Sequence, residues 1–239
     1  MEDNLGVIYE NDDFLVLEKP SGLTVNRSET VKDQETLQDL VEKKFKIDRG
    51  TDDLEYESRS GVVHRLDKET SGVILVAKNP QSFQNLKNQF KERKVKKTYL
   101  ALAHGKLEGE GEIQVPVGRL PWNRKRFGVL AGGREAKTLY KALDVYQNGK
   151  EPLTLLELYP ETGRTHQIRV HLKYINHPIF SDLLYAGRKI VREDRKKLQR
   201  LFLHANKISF THPKKRELLS FESRLPDVLE NFLKELKNP

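Results

Sequence analysis

The chain has 239 residues, no cysteine, and 43 Lys+Arg against 35 Asp+Glu, a formal net charge of +8. The lack of cysteine excludes disulfides, thiolate catalysis and Cys-ligated zinc, and no apolar run is long enough for a membrane span. With 36% apolar residues the chain can bury a substantial core, and its positive surplus favours polyanionic partners through steering and phosphate contacts. The acidic start, Met1-Glu2-Asp3-Asn4, has none of the basic and apolar regions of a signal peptide, so a cytoplasmic address is expected.

Two short strands, Gly6 to Glu10 and Phe14 to Glu18, flank the turn Asn11-Asp12-Asp13, and Lys19-Pro20-Ser21-Gly22 punctuates the second. Thr36 to Phe45 places Leu37, Leu40, Val41 and Phe45 on one helical face, and polar, acidic residues 47–60 read as a long loop. Gly72 to Lys78 is a strand. Asn79-Pro80 supplies an N-cap and first-turn proline for a helix over Gln81 to Arg93, with Phe83, Leu86 and Phe90 as its apolar stripe. Val95 to His104, Glu112 to Val117, Ala136 to Gln147 and Leu153 to Tyr159 are strand candidates. Between them Arg119 to Gly133 reads as an exposed basic loop or hairpin carrying Trp122. Arg164 to Asn176 is a predicted helix with Ile168, Leu172 and Ile175 facing inward. Asn206 to Phe210 and Glu217 to Glu222 suggest a terminal hairpin, and a last helix opens at Leu225-Pro226-Asp227 with Val228, Leu229, Phe232 and Leu236 apolar. The run Arg192 to Lys197 mixes signs and reads as a solvated face. The expected fold is α+β: a single domain over residues 1–239 with a large mixed, mostly antiparallel sheet flanked by helices.

The most informative segment is His64-Arg65-Leu66-Asp67, a charged tetrad in a polar turn followed by the apolar run Val73 to Ala77. Charges are set against a core when they are paired or needed, because a lone buried charge is very costly. A carboxylate held there can serve as nucleophile or base, while a simple turn-capping aspartate is the plainer alternative. In Lys96-Lys97-Thr98-Tyr99 an aromatic hydroxyl sits within a strand, suited either to ordinary packing or to stacking on a base. In Gly163 to His171, read as a helix, Thr165 and Arg169 share a face. His166 and His171 are five apart with no carboxylate to complete a ligand set, which disfavours metal. Arg119, Arg124, Lys125, Arg126 and Arg134 gather around Trp122 and Phe127, an interleaving that suits nucleic-acid backbones and bases.

Together these segments resemble the RluA-type pseudouridine synthases, in order, from about Ile8 to Arg224. Lys19-Pro20-Ser21-Gly22-Leu23 is similar to the family's early KPxGL element, and His64 to Lys78 matches HRLDxxTSGxxxxAK at nearly every position. Lys97-Thr98-Tyr99-Leu100 resembles the tyrosine strand, Glu161 to His171 the third motif, and Leu203-His204-Ala205 with Phe210-Thr211-His212-Pro213 the closing one. Two departures stand out: Thr24-Val25-Asn26-Arg27 lacks the His-Pro often found after the early element, and Ser181 to Gly187 only approximates GDxxYG.

The resemblance implies conversion of a uridine within ribosomal or transfer RNA to pseudouridine: the C1′–N1 bond breaks, the held uracil turns over, and a C1′–C5 bond forms. It implies no cofactor and no metal. Asp67 would be the catalytic carboxylate, Tyr99 would stack on the target base and assist a proton transfer, and Arg169 would pair with Asp67 and keep it ionised. Arg65 would fill the gap left by an everted uridine. His64, Arg164, His166 and Leu203, with Arg124, Lys125 and Arg126, are the implied RNA contacts. A monomer is expected, with no separate N-terminal RNA-binding domain. A non-catalytic RNA-binding protein is the alternative that charge alone would support. A two-carboxylate glycosidase using Asp67 and Glu69 is disfavoured, since near-adjacent turn residues hardly flank one bond.

Overall fold

The computed structural model describes residues 5–28, 34–124, 126–149 and 151–237. In chain order the elements are β1 (Gly6–Glu10), β2 (Phe14–Lys19), α1 (Leu37–Lys44), α2 (Leu54–Arg59), β3 (Ser71–Ala77), α3 (Pro80–Lys91), β4 (Lys96–His104), β5 (Glu110–Gln114), β6 (Val117–Arg119), β7 (Phe127–Val129), β8 (Lys137–Asn148), β9 (Glu151–Pro160), α4 (Gln167–Tyr174), α5 (Arg188–Lys197), β10 (Leu203–Thr211), β11 (Leu218–Glu222) and α6 (Asp227–Lys237). Two compact units emerge, the first running to Lys96 and resuming over Ala205–Arg224, the second spanning Lys97–His204 and the segment from Leu225. Strands hydrogen-bond in the order β1–β2–β3–β10, with β11 also on β10, in the first unit, and β4–β9–β8–β5 in the second. The pairings with defined register are antiparallel. The α+β class with a large, mostly antiparallel sheet flanked by helices is therefore as expected. Among the described residues no helix is long and apolar enough to cross a membrane.

In the first unit, Asn11 Oδ1 accepts the N–H groups of Asp13 and Phe14 and so closes the β1–β2 turn. Thr36 and Asp39 form a capping box at α1, satisfying donors that a helix start leaves open. All seven residues of β3 are buried, the mark of a strand covered on both faces. Asn79 caps α3 by accepting from Ser82 N–H, with Pro80 in the first turn, as the sequence predicted. Phe14, Val16, Val73, Leu75, Phe83, Leu86 and Phe210 share this unit's core.

The second unit packs Leu102, Leu156, Leu158, Leu172, Phe180, Phe202 and Phe232 into its own core. Here the structure amends three readings. Residues 164–166 are a turn and α4 starts only at Gln167, because that side chain is tied back to the loop: its Oε1 accepts from Arg164 N–H and Thr162 Oγ1. The mixed-charge run Arg192 to Lys197 keeps Arg192, Glu193, Lys196 and Lys197 exposed as expected of a solvated face, but it is part of α5 and sets buried Asp194 against His104 at 3.0 Å. Val228, expected on the apolar face of α6, is 51% exposed. In the first unit, the long loop 47–60 contains α2, whose Tyr56 is fully buried and donates to the Lys78 carbonyl.

Candidate active site

The loop bearing Asp67 departs from β3 in an orderly way. Ala77 N–H donates to the Gly61 carbonyl, and the next outward-facing amide, Leu75 N–H, donates to His64 Nε2 at 3.0 Å. An imidazole nitrogen thus stands where a ladder carbonyl would, which ends the pairing and frees residues 65–70 to turn away. As an acceptor, this nitrogen is unprotonated. The His64 ring also stacks on Phe90, with centroids 4.7 Å apart. Gly61 and Gly72 frame the loop. A Cβ at Gly61 would stand 2.0 Å from the Ala77 carbonyl oxygen, and one at Gly72, where φ is +120°, 2.2 Å from that of Ala205.

The turn itself is closed by Thr70 N–H donating to the Asp67 carbonyl. Lys19, fully buried at the end of β2, donates through Nζ to the carbonyls of Pro20, Leu23 and Lys68. Ser21 Oγ donates to the Glu69 carbonyl and Gly22 N–H to that of Lys68. The Lys19-Pro20-Ser21-Gly22 element is therefore a bracket on Lys68 and Glu69, the two residues that follow Asp67 in the turn. Asp67 is half-buried, Leu66 is buried beneath it and Arg65 is exposed.

In the second unit Arg169 is 2% exposed, yet its charge is matched. Nε and Nη2 donate to the two carboxylate oxygens of Asp182 at 2.8 and 2.7 Å, a bidentate bridge between buried groups. Asp182 also accepts from the N–H groups of Leu184 and Tyr185. The Arg169 guanidinium lies 5.2 Å from the centre of the Tyr185 ring. His166, in the left-handed region at φ +56°, places Nδ1 2.8 Å from Tyr185 Oη. Tyr99 is half-buried on β4 against this unit's core, and the two-residue alternation puts Lys97 on the same face. Lys97 Nζ comes within 3.5 Å of the Thr162 carbonyl, and burial pushes its ammonium down to about 8.

The model for RNA pseudouridylate synthase matches residues 13–174, more than half of the chain. The chain belongs to the RNA pseudouridylate synthase family. It is 37% identical over 237 residues to ribosomal large subunit pseudouridine synthase D of Nitrosomonas europaea, covering 98% of this chain and 66% of that protein. It is 38% identical to the Neisseria meningitidis serogroup B protein of that name, covering 98% of this chain and 61% of that one. The chain thus spans somewhat under two thirds of the length of these relatives. An uncharacterized RNA pseudouridine synthase of Aquifex aeolicus is 39% identical over 95% of this chain and 71% of its own length. Among solved structures, human RNA pseudouridylate synthase domain containing 1 superposes with a TM-score of 0.74 at 28% identity, over 99% of this chain and 96% of that one.

Within this family frame, Asp67 falls in the first unit and Tyr99 and Arg169 in the second. Arg124 and Arg126 are exposed on the loop joining β6 to β7, while Lys125 lies outside the described residues. Arg164 is half-buried and donates through Nε to the Glu135 carbonyl, and Leu203 is buried in the second unit's core. His166 and His171 have separate tasks: His171 is fully buried, donates through Nε2 to the Val115 carbonyl, and is held below its ordinary range by burial. Sequence reasoning had no role for Lys19, Asp182 and Tyr185. Each nevertheless lay in a segment already singled out, the KPxGL element or the approximate GDxxYG run.

Proposed function

We propose that this protein converts uridine to pseudouridine in large-subunit ribosomal RNA, with Asp67 as the catalytic carboxylate. Tyr99 serves as the aromatic hydroxyl at the target base and Arg169 as the cation that favours the ionised carboxylate. The observation that carries this reading is the Asp67 turn, bracketed by the buried Lys19 within a motif running from His64 to Lys78. Rigid support of this kind suits a group that must meet a reacting atom in one geometry, since small misplacements cost large factors in rate. The RNA class is taken from relatives named for the large ribosomal subunit. Mapping pseudouridine along cellular RNA with and without the gene tests it: loss of a signal at one or more ribosomal positions is expected, and an unchanged map refutes the assignment.

Exposed Arg65 is assigned to the space an everted base leaves behind. Arg65→Ala is expected to lose about tenfold or more on a base-paired substrate and much less on an unpaired loop, because only the former pays for unstacking. Equal losses on the two substrates would argue against a wedge. The net charge of +8 further predicts a falling affinity with salt, log K against log salt having a slope of roughly −0.7 per single-strand phosphate contact. A flat response in a filter-binding titration is incompatible with backbone-driven binding.

A further inference from the structure

The β6–β7 hairpin carries exposed Trp122, 77% accessible, with Arg124 and Arg126, and stiffens itself internally. Arg119 lies 4.8 Å from the centre of the Phe127 ring and donates through Nη1 to the Arg124 carbonyl at 2.6 Å. β7 is three residues long and, among the described residues, pairs only with β6 in a two-stranded ribbon, which leaves its other edge without a described strand partner. On that edge Phe127 N–H donates to Tyr185 Oη at 3.1 Å. The same hydroxyl is hydrogen-bonded to His166 Nδ1, and the Phe127 and His166 rings meet edge to face at 5.6 Å. Tyr185 is in turn fixed by Asp182, which accepts its backbone N–H, and by the Arg169 guanidinium over its ring. One phenol therefore links the basic hairpin, the left-handed turn at His166 and the Arg169–Asp182 bridge, all within the second unit.

We propose that Tyr185 is a positioning residue: its hydroxyl fixes the β6–β7 hairpin against the His166 turn, so that RNA gripped by the hairpin is held in register with Arg169. This rests on the RNA-modifying reading above. Removing the hydroxyl leaves the ring beneath Arg169 and the apolar packing of Val117, Phe127 and Val129 with Val170 in place, and takes away the polar link between the Phe127 edge of the hairpin and the His166 turn. The loss then falls on substrates large enough to reach the hairpin, and on their binding more than on the chemical step.

The test uses Tyr185→Phe and Trp122→Ala, singly and together, on a large-subunit ribosomal RNA transcript and on a short stem–loop. For Tyr185→Phe the expected result is a KM and Kd for the transcript raised about fivefold, the scale of one hydrogen bond, because of the two bonds the hydroxyl makes only that from Phe127 N–H reaches the hairpin. The kcat should stay within about twofold, stem–loop binding should be nearly unchanged, and the melting temperature should fall by no more than about 3 °C. Trp122→Ala should cost less in the Tyr185→Phe background than in the wild type, because an unfixed hairpin has already lost part of its grip. Equal weakening on both RNAs, unchanged binding, or independent effects of the two substitutions overturns the proposal. Should Tyr185→Phe fail to fold, hydrogen exchange in the wild type decides: slow exchange at Phe127 supports the bond, and exchange as fast as other open-edge amides overturns it. Wild-type protein that binds the transcript but forms no pseudouridine in any RNA refutes the functional reading alone, since the Kd arms judge Tyr185 without turnover.

Discussion

Asp67→Asn is expected to abolish pseudouridine formation, with turnover down at least about a thousandfold, equivalent to roughly 4 kcal/mol of lost transition-state stabilisation. The substitution keeps the size and hydrogen-bonding reach of the side chain but removes its negative charge and basicity. The turn around it is closed by backbone groups and by Lys19, Ser21 and Gly22, none of which needs the Asp67 carboxylate. With the size of the side chain and one acceptor oxygen retained, folding and RNA affinity should survive. Digestion of treated RNA to nucleosides gives the answer directly: pseudouridine formed by this variant at near wild-type rate removes Asp67 from the mechanism, and binding without product is the expected signature.

The largest loss of stability is expected from Asp182→Ala. Arg169 and Asp182 are 2% and 0% exposed in their side chains, and the bridge between them is bidentate. Removing one member leaves a buried guanidinium without this counter-charge, a defect that costs about 3–5 kcal/mol. The N–H groups of Leu184 and Tyr185 lose an acceptor at the same time. Thermal unfolding should move down by roughly 6–20 °C for a chain of this size. An unshifted midpoint would mean that solvent or another acceptor already reaches Arg169. Asp182→Asn should fall between the two proteins, since it retains acceptor capacity without charge.

The strands and amphipathic helices were legible because they write their burial into a local period. The apolar run Val73 to Ala77 and the stripe Phe83, Leu86, Phe90 needed no tertiary information. Helix α2 was hidden because only Tyr56 of its six residues is buried, too little to create a stripe. The start of α4 was misplaced because it is set by hydrogen bonds from Gln167 to Thr162, Arg164, Lys137 and Thr138, partners spread over two other segments. The same reason hid the jobs of Lys19 and Asp182. A lysine ending a strand and an aspartate in an imperfect motif reveal their roles only when Lys68 and Arg169 are brought to them, across 49 and 13 positions of chain. The motif strings marked the segments to which the chemistry is assigned in the proposal, while the groups that hold those segments stiff were readable only in three dimensions.

The pairing of β3 with β10 carries a consequence for biosynthesis. Gly72 lies against Ala205, so the fully buried strand β3 leaves the ribosome well before its partner has been made. At the usual pace of translation, roughly 130 intervening residues take on the order of ten seconds or more. Throughout that interval one flank of a largely apolar strand lacks its final neighbour, a ready target for nascent-chain chaperones and a point of vulnerability when synthesis stalls.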